Sequence, residues 1–376
     1  MKENLQSIRA EFPVTQRWIY LNHAAVSPLC RPAAQAMRRS VRDVEENGMA
    51  YSEHWSDLYK RARRLSAQLI GAHPSEIALL KNTSEGLITA AQGIRWHRGD
   101  QVLLAKGEFP SNVYPWLSLE SQGVDVVWIE EREGRLWPED FIRATTSQTR
   151  VLSISSVEFF SGQRNDIETL GAFCKERDIL FVVDAIQSLG AFPMDVASSH
   201  IDLLCADAHK WLLGPEGSAL FYCSRKAMRT IQPTGLGWAS VESAFDFLNY
   251  DMSLQPDARR YENGTLNTAG IAGMTGAIDF LLSQNIHAIS QRILCLTHKL
   301  REGLIERGYI VRNSPLSEDQ SGIVTFRHPQ ISALQIVDKL RSRDIISSER
   351  GDHIRLSPHF YNTEEEIDLT LDALAN

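Results

Sequence analysis

The sequence predicts an α/β protein: a mostly parallel sheet flanked by helices, followed by a smaller α+β region. Two observations predict it. Between about residue 75 and residue 225, short apolar runs alternate with amphipathic stretches, the pattern of buried strands joined by crossover helices. After about residue 267 the texture changes to a long helical periodicity, then to short strand-like segments.

In the first region QVLLAK, VDVVWIE, RVLSISSV, ILFVVDA, IDLLCAD and SALFYCS read as strands, and DIETLGAFCKERD is representative of the helices between them. Ligands on such sheets sit at the carboxyl ends of the strands. In the second region residues 269–306 read as one long helical stretch, followed by the strand-like GIVTFRH, the helix SALQIVDKLRSRD, the strand-like HIRLSP and a closing helix after NTEEEID. No repeat, low-complexity tract or long linker interrupts the chain. The expected division is a large domain over 16–266 and a small domain made of 1–15 and 267–376, packed closely.

The bulk composition narrows the partners. With 376 residues, 43% hydrophobic and 23% charged, the chain can bury a large core. A formal net charge of −8 gives no broad basic field, which disfavours nucleic acid and anionic membranes and favours a small molecule. The start has no apolar signal-like region, and no stretch reaches the roughly 18 apolar residues of a membrane span. A soluble cytoplasmic protein is expected. The five cysteines are scattered and lack CxxC spacing, which argues against a disulfide framework and a zinc site and for a reducing compartment. No HExxH, Walker lysine loop or GxGxxG run is present.

Three strand ends carry polar groups. ILFVVDAIQS ends a buried strand in Asp184, with Gln187 three residues on; a carboxylate there needs a cation or hydrogen-bond donors, or caps the following helix. IDLLCADAHKW ends in His209 and Lys210. A lysine among apolar residues has a depressed pKa and a nucleophilic amine, whereas a surface lysine at a strand end has neither. LLKNTSEGLITAAQG opens a helix with Asn82, Thr83, Ser84 and Glu85, which is either a phosphate cradle or a plain capping motif. Together, in this chain order, a phosphate cradle, an acid for a ring nitrogen and a lysine for an aldehyde are the parts that pyridoxal 5'-phosphate requires.

From YLNHAAVSP to RLSPHFYNTEEEID the chain resembles the class V aminotransferase family of fold-type I pyridoxal-phosphate enzymes, which includes cysteine desulfurases, selenocysteine lyases, kynureninase and isopenicillin N epimerase-like proteins. The resemblance implies that Lys210 forms the Schiff base with the cofactor and acts as the base at the substrate Cα. It implies that Asp184 pairs with the pyridine nitrogen, that Gln187 bonds the ring hydroxyl, and that Thr83, Ser84 and His209 hold the phosphate. Phe109 in EFPSN takes the position that stacks on the ring, and Thr265 in RYENGTLNT the position that crosses a dimer interface to the partner's phosphate. A homodimer follows from that match. Arg355 in IRLSPHFYNT matches the arginine that clamps the substrate carboxylate, a task for a planar bidentate fork.

The departures narrow the chemistry. Desulfurases carry a nucleophilic cysteine shortly before that arginine, but SSERGDHIRLS has none and no cysteine follows Cys295, so a persulfide mechanism is disfavoured. The stacking position, histidine in desulfurases, is Phe109, which cannot shuttle a proton. Asp207 replaces a phosphate-binding serine, and its charge opposes a phosphate, so it is expected to point to a helix cap or an arginine. Phe159 aligns where desulfurases have an asparagine near the ring. His23 lines the substrate pocket or is a polar loop residue. Arg164 binds a second substrate carboxylate or, ahead of that, pairs on the surface with Asp166 or Glu168. Trp116, Trp128 and Trp211 read as core or pocket wall. Transamination asks least of these residues, because Lys210 alone moves the proton. A C–S lyase or an epimerase on the same scaffold is the alternative, and a non-catalytic protein with the same fold is a third.

Overall fold

The computed structural model describes residues 5–312, 314 and 316–375; residues 1–4 of the expected small domain and Asn376 lie outside them. A short parallel pair joins β1 (Ile19–Tyr20) to a C-terminal strand. The main sheet is built from β2 (Ile77–Leu80), β3 (Gln101–Ala105), β4 (Asp125–Ile129), β5 (Thr149–Ser155), β6 (Leu180–Asp184), β7 (Leu203–Asp207) and β8 (Ala219–Cys223). Its order is β2-β8-β7-β6-β5-β3-β4, with β8 antiparallel to both neighbours and every other pairing parallel. All six sequence-predicted strands of this region are present.

The period-two alternation of strand side chains divides the core between the sheet's two faces. Leu103 and Ala105 join one cluster with Phe181 and Val183, covered by the helices Ile167–Glu176 and Thr268–Gln284. Val102, Leu104 and Val182 join the other, covered by Leu87, Ala90 and Ala91 of the helix Thr83–Gly93. Trp116 and Trp211 are fully buried, but Trp128 is 39% exposed. It lies on β4, the edge strand, so the expectation of a core or wall position fails for it.

The C-terminal region carries β9 (Ile310–Val311), β10 (Val324–Arg327), β11 (Ile345–Ile346, the partner of β1), β12 (Ser348–Arg350) and β13 (His353–Leu356). The sheet order here is β12-β13-β10-β9, antiparallel throughout. The helix expected over 269–306 is instead two helices, Thr268–Gln284 and Ile286–Glu306. Asn285 breaks them: it sits at φ 65°, a conformation asparagine tolerates, and its side chain caps the second helix by accepting from His287 N. The N-terminal segment is tied into the main core, with Phe12 stacked on Tyr361 at 3.8 Å between ring centroids. No helix among the described residues is long and apolar enough to cross a membrane.

Candidate active site

The parallel strands deliver polar groups to one end of the sheet. β6 ends at Asp184, β7 ends at Asp207 and runs on through His209 to Lys210, and the helix Thr83–Gly93 opens just after β2. There a cavity of about 420 Å³ is lined by Ala24, Thr83, Ser84, Phe109, Phe159, Asp184, Gln187, Asp207, His209, Lys210, Arg350 and Arg355, among others. The fold therefore brings together all but two of the residues the sequence singled out for the site.

Lys210 is buried, and that burial lowers its pKa to about 8, against partial support of the charge by Asp184 and Asp207. Its Nζ stands 5.5 Å from the centroid of the Phe109 ring. The chain can turn tightly behind this lysine because Gly190, at φ 99°, packs against the Trp211 carbonyl: a Cβ there would fall 2.3 Å from that oxygen. Asp184 is buried, accepts a hydrogen bond from Ile186 N at 3.0 Å, and is pushed up to about 6 by desolvation. It caps the turn after β6 rather than a helix, which does not follow there, and its carboxylate lines the cavity. Gln187 donates from Nε2 to the Ala24 carbonyl and accepts from Trp211 Nε1, each at 3.0 Å. Its second amide hydrogen remains for a ligand.

At the helix N-terminus, Asn82 accepts from Glu85 N at 2.8 Å, and Ser84 Oγ meets Ser111 Oγ at 2.7 Å. Asp207 fulfils the cap expected of it: one carboxylate oxygen takes the Thr83 N–H and, at 3.0 Å, the Thr83 hydroxyl. The other lies 3.2 Å from His209 Nδ1. A carboxylate thus holds two of the three groups expected to receive the phosphate.

Arg355 is almost wholly enclosed. Its Nη1 donates to the Phe159 carbonyl at 2.7 Å, while Nε and Nη2 are buried without a partner. Desolvation lowers its pKa to about 9, with Arg350 adding to the effect. A buried guanidinium with two idle donors is costly unless an anion completes it.

Two expectations are corrected. His23 is fully buried and absent from the cavity wall; Nδ1 lies 2.7 Å from the Ser357 carbonyl and Nε2 2.7 Å from Tyr361 Oη. Burial lowers its pKa to about 4, so it is a neutral strut between the N-terminal segment and the C-terminal region. Arg164 pairs with neither Asp166 nor Glu168. Its Nε donates to the Glu318 carbonyl at 3.0 Å and its guanidinium lies over Phe192, while Asp166 caps the helix Ile167–Glu176. Thr265 is exposed and lies outside this cavity within a single chain.

Sequence reasoning missed Arg350 and two buried acids. Glu108 and Glu158 stand one residue before the wall residues Phe109 and Phe159. Burial raises both, Glu108 to about 7, and Glu108 accepts from both Ser155 N and Ser155 Oγ. The signal was present in GEFP and VEFF, where an acid precedes an aromatic at a strand end.

The donor set fits pyridoxal phosphate at its ring and aldehyde end: a neutralisable lysine, a buried carboxylate, a stacking aromatic and a free amide hydrogen meet in one cavity. The phosphate end departs through Asp207, leaving the paired Ser84 and Ser111 hydroxyls and the Ser84 N–H as the donors not already bound to Asp207 or Asn82.

Comparison with known proteins gives the same assignment. The chain matches the family model described as aminotransferase class-V over residues 19–370. It is 29% identical to a probable cysteine desulfurase of Methanothermobacter thermautotrophicus over 98% of each chain, and 26% identical to an uncharacterized aminotransferase of Bacillus subtilis over 98% of this chain and 97% of the other. Its fold superposes on the apo structure of a cysteine desulfurase from Thermococcus onnurineus NA1 with a TM-score of 0.91 at 25% identity, covering 98% and 96% of the two chains. A C-DES variant with glycine linked covalently to its PLP cofactor has the same fold, with a TM-score of 0.90 at 23% identity over 98% and 99%. The chain belongs to the class V aminotransferase family, whose cofactor is pyridoxal 5'-phosphate.

Proposed function

We propose that this protein is a pyridoxal-phosphate-dependent aminotransferase that acts at the Cα of an amino acid. The observation that carries the reading is the convergence of Lys210 and the half-satisfied Arg355 guanidinium on one cavity. When bound, pyridoxal phosphate supplies a conjugated ring that stabilises negative charge at Cα. Arg355 takes the substrate carboxylate on its idle Nε and Nη2 and so fixes which Cα bond faces the lysine. Lys210 removes the Cα proton and redelivers it. With its pKa near 8, roughly a tenth of the amine is neutral at pH 7, against a negligible share at the ordinary lysine value. Asp184 stays ionised at neutral pH and holds the proton on the ring nitrogen. Phe109 covers a ring face and excludes water. Ser84 and Ser111 serve the phosphate directly, Thr83 and His209 flank it while bound to Asp207, and Thr265 of a second copy completes it in a homodimer.

Persulfide chemistry is disfavoured because no cysteine lines the cavity. Cys30, Cys174, Cys205 and Cys223 are buried elsewhere, and Cys295 lies on the helix Ile286–Glu306. Five unpaired thiols support the cytoplasm as the protein's compartment. The second reading is elimination by a lyase, favoured by relatives named as cysteine desulfurases. Epimerisation needs a second proton donor on the face opposite Lys210, and His23 does not supply it, since it is neutral and outside the wall.

A panel of amino acids given to the loaded enzyme with a keto-acid acceptor separates these readings. Transamination predicts keto acid and the acceptor's amino acid in equal amounts, without sulfide from cysteine derivatives. Ammonia or sulfide in place of the new amino acid would transfer the assignment to elimination, and no amino acid consumed would overturn both.

A further inference from the structure

Arg350 is a cavity residue with no assigned partner. It ends β12, which pairs antiparallel with β13 so that Arg350 faces His353 and Ser348 faces Arg355. Residues opposite one another in such a pair, and residues two apart on a strand, project from the same face. Arg350 and Arg355 are therefore diagonal neighbours on one face of the hairpin, and both line the same cavity as Lys210. The Arg350 guanidinium is half-buried, donates from Nη1 to the Glu349 carbonyl at 2.6 Å, and forms no ion pair among the described residues. Of the carboxylates nearby, Asp352 pairs with His353, Asp207 is held by Thr83 and His209, and Glu349 alternates onto the opposite face of β12. Asp184 sits across the cavity on β6, where it faces Lys210. The substrate end thus holds two adjacent cations, and Arg355 has two idle donors.

We propose that the substrate is an amino acid with a second anionic group on its side chain, its α-carboxylate on Arg355 and its side-chain acid on Arg350. The inference rests on the reading of Lys210 and Arg355 given above and specifies its substrate class. Two guanidiniums without an intervening carboxylate repel one another and stay partly desolvated. A dianion relieves both penalties, whereas a neutral side chain relieves neither. Arg350 is the specificity-determining residue in this scheme.

The experiment compares near-isosteric pairs, L-aspartate with L-asparagine and L-glutamate with L-glutamine. Dissociation constants are taken from the visible spectrum of the cofactor-loaded wild type and of R350Q and R350K, with near-UV circular dichroism as the check on folding. In the wild type the acid is expected to bind about tenfold or more tightly than its amide for at least one pair. R350Q should bring that ratio close to one, and R350K should keep part of it. A wild-type ratio near one overturns the proposal while leaving the aminotransferase reading intact, because a single carboxylate shared by both arginines gives that result. A ratio that survives R350Q overturns the role of Arg350. A loaded enzyme that binds none of the four amino acids, nor any other amino acid, overturns the underlying reading as well.

Discussion

At the scale of single residues, the site is governed by burial acting on charge. Lys210 and Arg355 both lose proton affinity because water has been removed around them, and Asp184 gains it for the same reason. The sign of the effect on Lys210 gives a direct prediction. Only the neutral amine attacks an aldehyde, so lowering its pKa moves the rise in reactivity down the pH scale. The rate at which the apoenzyme captures pyridoxal phosphate covalently should climb with pH and level off near pH 8, followed by stopped-flow absorbance. A rate still rising through pH 10 would show a lysine that keeps its ordinary value of 10.5.

At the scale of elements, the helix Thr83–Gly93 shows how one feature serves fold and site together. Gly86 lets it approach β7 and β8 closely, since a Cβ there would lie 2.5 Å from Cys205 Sγ and 3.0 Å from the Phe221 ring. Asp207, at the end of β7, then reaches the Thr83 N–H and ties strand to helix. The same carboxylate lies beside Thr83, Ser84 and His209, the groups proposed to receive the phosphate. D207N is therefore expected to cost about 1 kcal/mol of stability through the weakened N-terminal cap, and to tighten pyridoxal phosphate binding by removing a like charge. Urea unfolding and equilibrium titration of the cofactor read the two effects separately. Loss of affinity together with loss of stability would mean that Asp207 organises the cradle through His209 rather than opposing the ligand.

At the scale of the whole molecule, the sequence made the parallel sheet legible because its strands are continuous apolar runs with Asp184 and Asp207 at their ends. Lys210 and Asp184 were legible because each is a polar group at the end of an apolar strand, and Arg355 was legible only through the resemblance of IRLSPHFYNT to the family's pattern. The rest depended on three-dimensional relations that no spacing encodes. His23 was open to reading as a pocket residue because nothing local shows that Ser357 and Tyr361, more than 300 positions away, close over both ring nitrogens. Arg350 was invisible until the hairpin register placed it on the same face as Arg355. The split between the helices Thr268–Gln284 and Ile286–Glu306 was hidden because their apolar periodicity continues across Asn285.

The central claim is that Lys210 moves a proton at the Cα of an amino acid held by Arg355. Its most direct test is loss of the Cα proton signal, followed by proton NMR in D₂O, for an amino acid incubated with cofactor-loaded enzyme. Wild-type protein should exchange that proton for deuterium, and K210A, supplied with the same cofactor, should leave it in place. Exchange that persists at the wild-type rate in K210A, or no exchange with any amino acid in the wild type, would contradict the account.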